Sequence, residues 1–136
     1  MNCIKYFRLL FISLFCFIST IAHSFEVYGI NYSITSSTDM TVGVASNKNC
    51  SGAIIIPEKV TYDSKEYSVT SIGSSAFYGC SGLTSVTIGN SVTNIGERAF
   101  YGTGWYNDHS DGILYLDSWL IGYKGDKPTG TLEIKE

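Results

Sequence analysis

A pattern of eleven residues occurs twice in this chain at a fixed distance. Residues 69–79 read VTSIGSSAFYG and residues 92–102 read VTNIGERAFYG, so the offset is the same for every matched pair, such as Ile72 and Ile95 or Phe77 and Phe100. Self-similarity with a fixed period of roughly 20–50 residues is the sequence signature of proteins that stack one structural unit. The chain is therefore expected to have a repeat architecture.

The apolar residues of one repeat indicate how the unit is built. Residues 83–88 (LTSVTI) end in the alternation of apolar and polar side chains that is typical of a strand. No single helix or strand can place all the apolar positions on one face, so we expect the chain to coil once around a common axis and point them inward: Leu83, Val86, Ile88, Val92, Ile95, Ala99 and Phe100. One such coil buries too little surface to offset its loss of conformational entropy, so it must stack on a neighbour.

The repeat also carries a family resemblance. The pattern Ile-Gly-x-x-Ala-Phe-x-x-Cys-x-x-Leu-x-x-Val-x-Ile, from Ile72 to Ile88, resembles leucine-rich repeats of the BspA type. The resemblance is specific over residues 72–106, and looser echoes extend across most of residues 25–136. It implies a mostly β leucine-rich-repeat solenoid with short helical turns and a parallel strand ladder. It also implies a secreted or cell-surface protein for adhesion or protein binding, with no catalytic residues and no cofactor.

The N-terminal segment, residues 1–24, is predicted to be a secretory signal peptide. Lys5 and Arg8 precede an apolar stretch, and small residues stand at the −3 and −1 positions of a cleavage site between Ser24 and Phe25. The alternative, an uncleaved anchor helix, is disfavoured because the apolar stretch is shorter than the roughly 20 residues that span a bilayer. No membrane insertion is expected after the signal peptide is removed. The mature chain then has seven basic and 12 acidic residues, a net charge of −5 that disfavours nucleic acid as a partner.

The mature chain divides into an N-terminal β cap over residues 25–52 and leucine-rich repeats over residues 53–136. Two hairpins are expected to interrupt the repeats, at about 59–70 and 107–130, because alternating segments flank turn residues there. Residues 131–134 (TLEI) match residues 85–88 at twice the period. Since solenoids need about three repeats and caps at both ends, we expect the chain to be truncated at its C-terminus. The open edge from Leu132 to Ile134 would then permit self-association.

Two cysteines remain after the signal peptide, each in a Cys-Ser-Gly sequence ahead of a strand. Cys50 and Cys80 could form a disulfide if adjacent coils bring them together, because secretion permits one. Free, buried thiols are the favoured prediction, since the repeat of the resembling family has an unpaired cysteine at the position of Cys80. In the second copy Thr103 occupies that position.

The polar residues do not indicate catalysis. His109 lies among Asp108, Ser110 and Asp111, but neighbours in a loop point in different directions and cannot form a triad. One histidine with scattered carboxylates supplies too few ligands for zinc, and the spacing is not that of a calcium-binding EF-hand loop. We therefore expect no catalytic or metal site, and no cofactor.

Aromatic and hydroxyl side chains are the candidates for binding. The candidate binding residues are Ser85, Thr87, Tyr101, Trp105, Tyr106 and Trp119, together with Tyr115 and Tyr123 in the wider aromatic set. Exposed aromatic residues anchor protein interfaces and stack on sugars, whereas Ser85 and Thr87 would face the concave side of the sheet. The alternative is that the aromatic residues pack the inserted hairpin onto the solenoid and that the hydroxyls are merely solvated.

Three functions follow from these patterns. The leading hypothesis is a non-catalytic module that binds proteins, with host matrix or plasma proteins suggested by the family resemblance. The alternative is a structural cap and spacer of a longer surface protein. A carbohydrate-binding or carbohydrate-active domain is disfavoured, because the sequence shows no pairing of carboxylates such as glycoside hydrolysis requires.

Overall fold

The computed structural model describes residues 23–126 and 129, and this part of the chain is mostly β. Its strands are β1 Ser24–Val27, β2 Ile30–Ser36, β3 Thr41–Val44, β4 Ser51–Ile56, β5 Lys59–Tyr62, β6 Lys65–Ile72, β7 Gly82–Ile88, β8 Asn94–Ile95, β9 Gly112–Leu116 and β10 Trp119–Lys124, and its one helix is α1 Gly104–Asp108. The predicted signal peptide up to residue 22 and the strand expected at residues 131–134 lie outside the described residues. None of the helices in the described ranges is long and apolar enough to cross a membrane.

The largest sheet is mixed and is not one parallel ladder. Its strands follow the order β1-β2-β3-β6-β5, and β8 also pairs with β6. β3, β6 and β8 pair in parallel, whereas β1–β2, β2–β3 and β5–β6 are antiparallel. Tight turns can connect only antiparallel strands, so the hairpins add antiparallel pairs to the ladder that the sequence pattern predicted.

Two of these hairpins turn over residues with left-handed backbone. Tyr28 and Gly29 have φ of 52° and 77° between β1 and β2, and Asp63 and Ser64 have φ of 49° and 59° between β5 and β6. Positive φ at both central residues is the requirement of the type I′ turn, whose twist matches that of the flanking strands. A third hairpin pairs β9 with β10 across Asp117 and Ser118. The turn residues therefore set the direction of each strand pair.

The two copies of the repeat stack on each other through backbone hydrogen bonds. The N–H groups of Ser75, Phe77 and Gly79 in the first copy donate over 2.8–2.9 Å to carbonyl oxygens of the second copy, those of Glu97, Ala99 and Tyr101. The short helical turn expected in each copy is instead a series of tight turns. Ser75 and Arg98 have φ of 57° and 56°, which a right-handed helix does not allow.

A second sheet pairs β7, the strand of the first repeat copy, with β4, which precedes that copy in the chain. β4 and β7 run parallel, with Ile54 opposite Val86 and Ile56 opposite Ile88. Parallel strands need a long crossover connection, which residues 57–81 provide. These residues contain the β5–β6 hairpin, so that hairpin is inserted between two strands that lie side by side.

The core lies inside the stacked coils. Leu83, Val86, Val92, Ala99 and Phe100 are buried as expected, while Ile88 and Ile95 are half-buried. Phe77 and Phe100, which are equivalent positions of the repeat, stack with ring centroids 5.5 Å apart and an interplanar angle of 8°. The repeat thus places the same aromatic side chain at the centre of successive coils.

Thr103 replaces the cysteine of the first copy and is expected to stabilise the fold through its hydroxyl. Its side chain is fully buried, and its Oγ1 donates to the carbonyl of Phe100 over 2.8 Å and accepts from the N–H of Tyr106 over 3.0 Å at the start of α1. We expect Thr103→Val to lower the free energy of unfolding by about 1–2 kcal/mol, because both bonds are lost in the interior. Urea denaturation measures this change.

The matched control for that substitution is Thr103→Ser, which keeps the hydroxyl and removes a methyl group. If the capping bonds matter, Thr103→Ser should be clearly more stable than Thr103→Val. Equal stability of the two variants, or a more stable valine variant, would show that the hydroxyl contributes nothing.

Candidate binding surface

The repeat builds a row of three tyrosines on the outside of the coils. Tyr78 and Tyr101 occupy equivalent positions, and their rings stack with centroids 5.5 Å apart at 17°. Tyr106, on α1, continues the row 4.9 Å from Tyr101 at 43°. Tyr78 and Tyr101 are 53% and 46% exposed, so the row presents aromatic surface to solvent. We call Tyr78, Tyr101 and Tyr106 the tyrosine row.

The backbone of the repeat sets the spacing of this row. Each exposed tyrosine directly follows a buried phenylalanine, Phe77 or Phe100, which anchors the turn from inside. The residue after each tyrosine is a glycine with φ of 73°, Gly79 or Gly102, and glycine adopts this conformation without strain. Since both copies turn in the same way, their outward side chains come into register.

Lys124 closes one end of the tyrosine row. Its Nζ lies 5.5 Å from the centroid of the Tyr106 ring, and it donates to the carbonyl of Asn107 over 2.7 Å and to the carbonyl of His109. A cation over an aromatic face is attracted by the ring's quadrupole. Burial raises the pKa of Tyr106, with smaller contributions from Tyr101 and Asp111. The contacts of Lys124 join the end of β10 to the C-terminal end of α1 and to the residue that follows it.

A groove of about 360 Å³ runs between the tyrosine row and the β9–β10 hairpin. Its walls are Glu97, Arg98, Phe100, Tyr101, Tyr106, Leu114, Ile121, Gly122 and Tyr123. Glu97 and Arg98 form an exposed ion pair 3.6 Å apart at its edge. The aromatic walls can bind an apolar side chain of a protein partner. The charges of both signs at the rim can pair with polar groups of the partner around that side chain.

The structure separates the aromatic candidates that the sequence grouped together. Tyr101 and Tyr106 belong to the tyrosine row, but Trp105 is only 8% exposed and meets Phe100 edge-on at 6.2 Å. Trp119 is half-buried and packs against the core. Trp105 is therefore a core residue, because α1 turns its side chain toward Phe100. The alternative interpretation, in which aromatic residues pack against the repeats, applies to both tryptophans.

Tyr78 is a surface aromatic residue that was not among the candidates predicted from the sequence. Its position is one repeat period before Tyr101, and both stand in the same Ala-Phe-Tyr-Gly sequence. Applying the repeat period to each candidate would have identified it. The repeat period that predicted the coils therefore also predicts a tyrosine next to Tyr101.

The hydroxyl candidates lie on a different face, where β4 and β7 pair. Ser85 and Thr87 are exposed as expected, opposite Ala53 and Ile55 respectively. Ile55 is 69% exposed, so this face is partly apolar and not the uniformly polar surface that the strand of one repeat indicated. A groove of about 400 Å³ lies beside it, lined by Tyr28, Ile30, Ala53, Ile54, Ile55 and Pro57.

The polar loop around His109 contacts α1, the helix that precedes it. The His109 Nδ1 lies 2.6 Å from the carbonyl oxygen of Trp105, and its ring centroid is 4.6 Å from that of Trp105. Residues 23–126 and 129 contain no group of three or more His, Cys, Asp or Glu side chains arranged to hold a metal ion. Cys50 and Cys80 are both free thiols.

Comparisons with known proteins match the repeat region. Residues 58–108 match a family model described as "BspA type Leucine rich repeat region (6 copies)". Among solved structures, the chain is similar to a leucine rich cell surface protein from Faecalibacterium prausnitzii A2-165, with 23% sequence identity and a TM-score of 0.41. That similarity covers 58% of this chain and 28% of the other. No curated protein matches the sequence.

Proposed function

We propose that the chain is a non-catalytic, protein-binding module that acts outside the cell, because residues 58–108 match a family model of BspA-type leucine-rich repeats. The family supports protein binding, and the predicted signal peptide supports secretion or surface display. Host matrix or plasma proteins are the proposed partners, and adhesion is the proposed role.

The observation that carries this proposal is the tyrosine row. Three aromatic rings lie in contact on the outside of a backbone that hydrogen bonds hold in register. Aromatic residues dominate the energetics of protein interfaces, and a tyrosine side chain loses little conformational entropy on binding. Stacking in the free protein reduces that loss further, because the rings are already ordered. A partner could therefore bind there without rearranging the surface.

The architecture of the whole protein is part of the same proposal. We propose that the coils form a leucine-rich-repeat solenoid, with residues 25–52 as its N-terminal β cap. The parallel pairs β4–β7 and β3–β6–β8 support a solenoid, since stacked coils pair strands in this way. The antiparallel strands β1 and β2 support the cap, because they cover one edge of β3.

Replacing the two exposed members of the tyrosine row tests the proposed site. We expect the double substitution Tyr78→Ser and Tyr101→Ser to weaken binding to immobilised plasma and matrix proteins about tenfold or more, because two aromatic anchors are lost. Both rings are about half exposed, so the fold should be retained. Surface plasmon resonance against the panel measures binding, and circular dichroism checks the fold.

Tyr28→Ser is the matched control for this experiment. Tyr28 is 92% exposed and stands in the β1–β2 turn, outside the tyrosine row. Its substitution should leave binding unchanged. Unchanged binding in the double variant would instead favour the structural spacer, and a wild-type chain that binds none of the panel would contradict the proposed partner class.

A further inference from the structure

The fold brings together two thiols that are far apart in the sequence. Cys50 directly precedes β4, and Cys80 lies just before β7. These strands pair in parallel with Ser51 opposite Gly82, which places the two cysteines at the same end of neighbouring strands. The Cys80 side chain lies close enough to raise the pKa of Cys50, and the Cys80 thiol donates to the carbonyl of Asn47 over 3.6 Å.

We propose that Cys50 and Cys80 form a disulfide when the chain meets an oxidant of the disulfide class, such as oxidised glutathione. Neighbouring strands lie about 4.8 Å apart, and a disulfide joins Cα atoms separated by roughly 4.4–6.8 Å. Cys50 and Cys80 stand one and two residues before the paired Ser51 and Gly82, so a strand spacing of this size is compatible with the bond. The register of β4 and β7 reverses the preference for free thiols that the sequence pattern indicated, and it does so independently of the proposed binding function.

The exposure of the two residues sets the order of the exchange. Cys50 is half-buried, whereas Cys80 is buried, so the oxidant reaches Cys50 first. The Cys50 thiolate attacks one sulfur of the oxidant, breaks its S–S bond and releases one thiolate, which takes up a proton. The Cys80 thiolate then attacks the Cys50 sulfur and displaces the second half of the oxidant. The chain loses two protons and two electrons, and one small-molecule disulfide becomes two thiols.

The environment of Cys50 slows its reaction with the oxidant. Burial, followed by the hydrogen bond with Cys80, raises the pKa of Cys50 to about 11. Most of the Cys50 population is therefore protonated at neutral pH, and the thiolate is the species that reacts. The contact with Cys80 then favours the internal disulfide over a lasting adduct with the oxidant, because the second thiol is already in place.

The cross-link would enclose the inserted hairpin. The segment between Cys50 and Cys80 includes the three strands β4, β5 and β6. Closing a loop of this length removes conformational entropy from the unfolded chain and raises stability. The bond would thus attach the first repeat covalently to the strands that precede it.

Thiol counting on the full chain tests the proposal. Cys3→Ser and Cys16→Ser leave only the two thiols in question, and the chain is equilibrated with oxidised and reduced glutathione, then alkylated after unfolding. We expect both thiols to be protected, the intact mass to fall by two hydrogen atoms, and one proteolytic peptide pair to join Cys50 to Cys80. The oxidised chain should unfold roughly 10 °C higher than the reduced chain.

Single variants complete the test. With Cys50→Ser or Cys80→Ser no internal bond can form, so glutathione should leave the unfolding temperature unchanged. Cys50→Ser is the safer variant because its side chain is only half-buried. The proposal would be overturned if both thiols of the Cys3→Ser, Cys16→Ser chain were alkylated in every molecule. It would also be overturned if glutathione attached to Cys50 were the main product. Oxidant-dependent stabilisation that survives in Cys50→Ser would overturn it as well.

Discussion

Replacing Phe100 by alanine is expected to lower the free energy of unfolding by about 3–5 kcal/mol, because it removes a large side chain from the centre of the stacked coils. Phe100 is fully buried, stacks on Phe77 at 5.5 Å and meets the edge of Trp105 at 6.2 Å. The cavity would open between two coils, where backbone hydrogen bonds restrict collapse. Since small domains are stable by only about 5–15 kcal/mol, this is a large share of the total.

Urea denaturation followed by circular dichroism measures this loss. Phe100→Leu is the matched control, since it keeps most of the apolar volume and should cost about 1.5 kcal/mol or less. An alanine variant as stable as the leucine variant would show that the space refills. It would then follow that the stacked phenylalanines do not form the centre of the core.

Replacing Gly96 by alanine is expected to cost about 2–4 kcal/mol, because no room exists for a Cβ atom between the coils. A Cβ at this position would lie 2.4 Å from the backbone N of Ser74 and 2.7 Å from the carbonyl carbon of Gly73. Both contacts are with the backbone of the previous coil, which cannot rotate away as a flexible side chain would. The substitution should therefore force the two coils apart.

A second glycine separates this steric effect from backbone strain. Gly52 has φ of 74°, but a Cβ there would meet nothing within 4 Å. Gly52→Ala should therefore cost only the left-handed strain of about 1–2 kcal/mol. The comparison is made by chemical denaturation of both variants under the same conditions. A Gly96→Ala chain at least as stable as the Gly52→Ala chain would contradict close packing of the coils.

Much of the fold could be predicted from the repeat alone. The positions of Ala99 and Phe100 recur at a fixed period, and only an inward position in every coil explains an apolar residue at each recurrence. The same argument predicts the parallel pairing of β4 with β7, because equivalent strands of stacked coils lie side by side. It does not predict the mixed sheet, since hairpins inserted between repeats have no counterpart one period away.

The candidate site was only partly predictable. Tyr101, Trp105 and Tyr106 are near neighbours in the sequence, yet Tyr101 and Tyr106 face outward and Trp105 faces the core. Which of these side chains face outward depends on how α1 packs against the second copy. The five residues of α1 are too few for the sequence to show the periodicity of a helix. Tyr78 could have been found, because it repeats Tyr101.

By itself, the sequence determined the repeat, its mostly β character and most of the residues at its centre, because an apolar residue that recurs once per repeat is explained by an inward position in every coil. Only the tertiary structure decided which aromatic residues reach solvent and that Cys50 and Cys80 lie at the same end of paired strands. Both depend on how separate elements pack against each other. The strength of such contacts comes from burial and strand register, and neither is present in any local stretch of sequence.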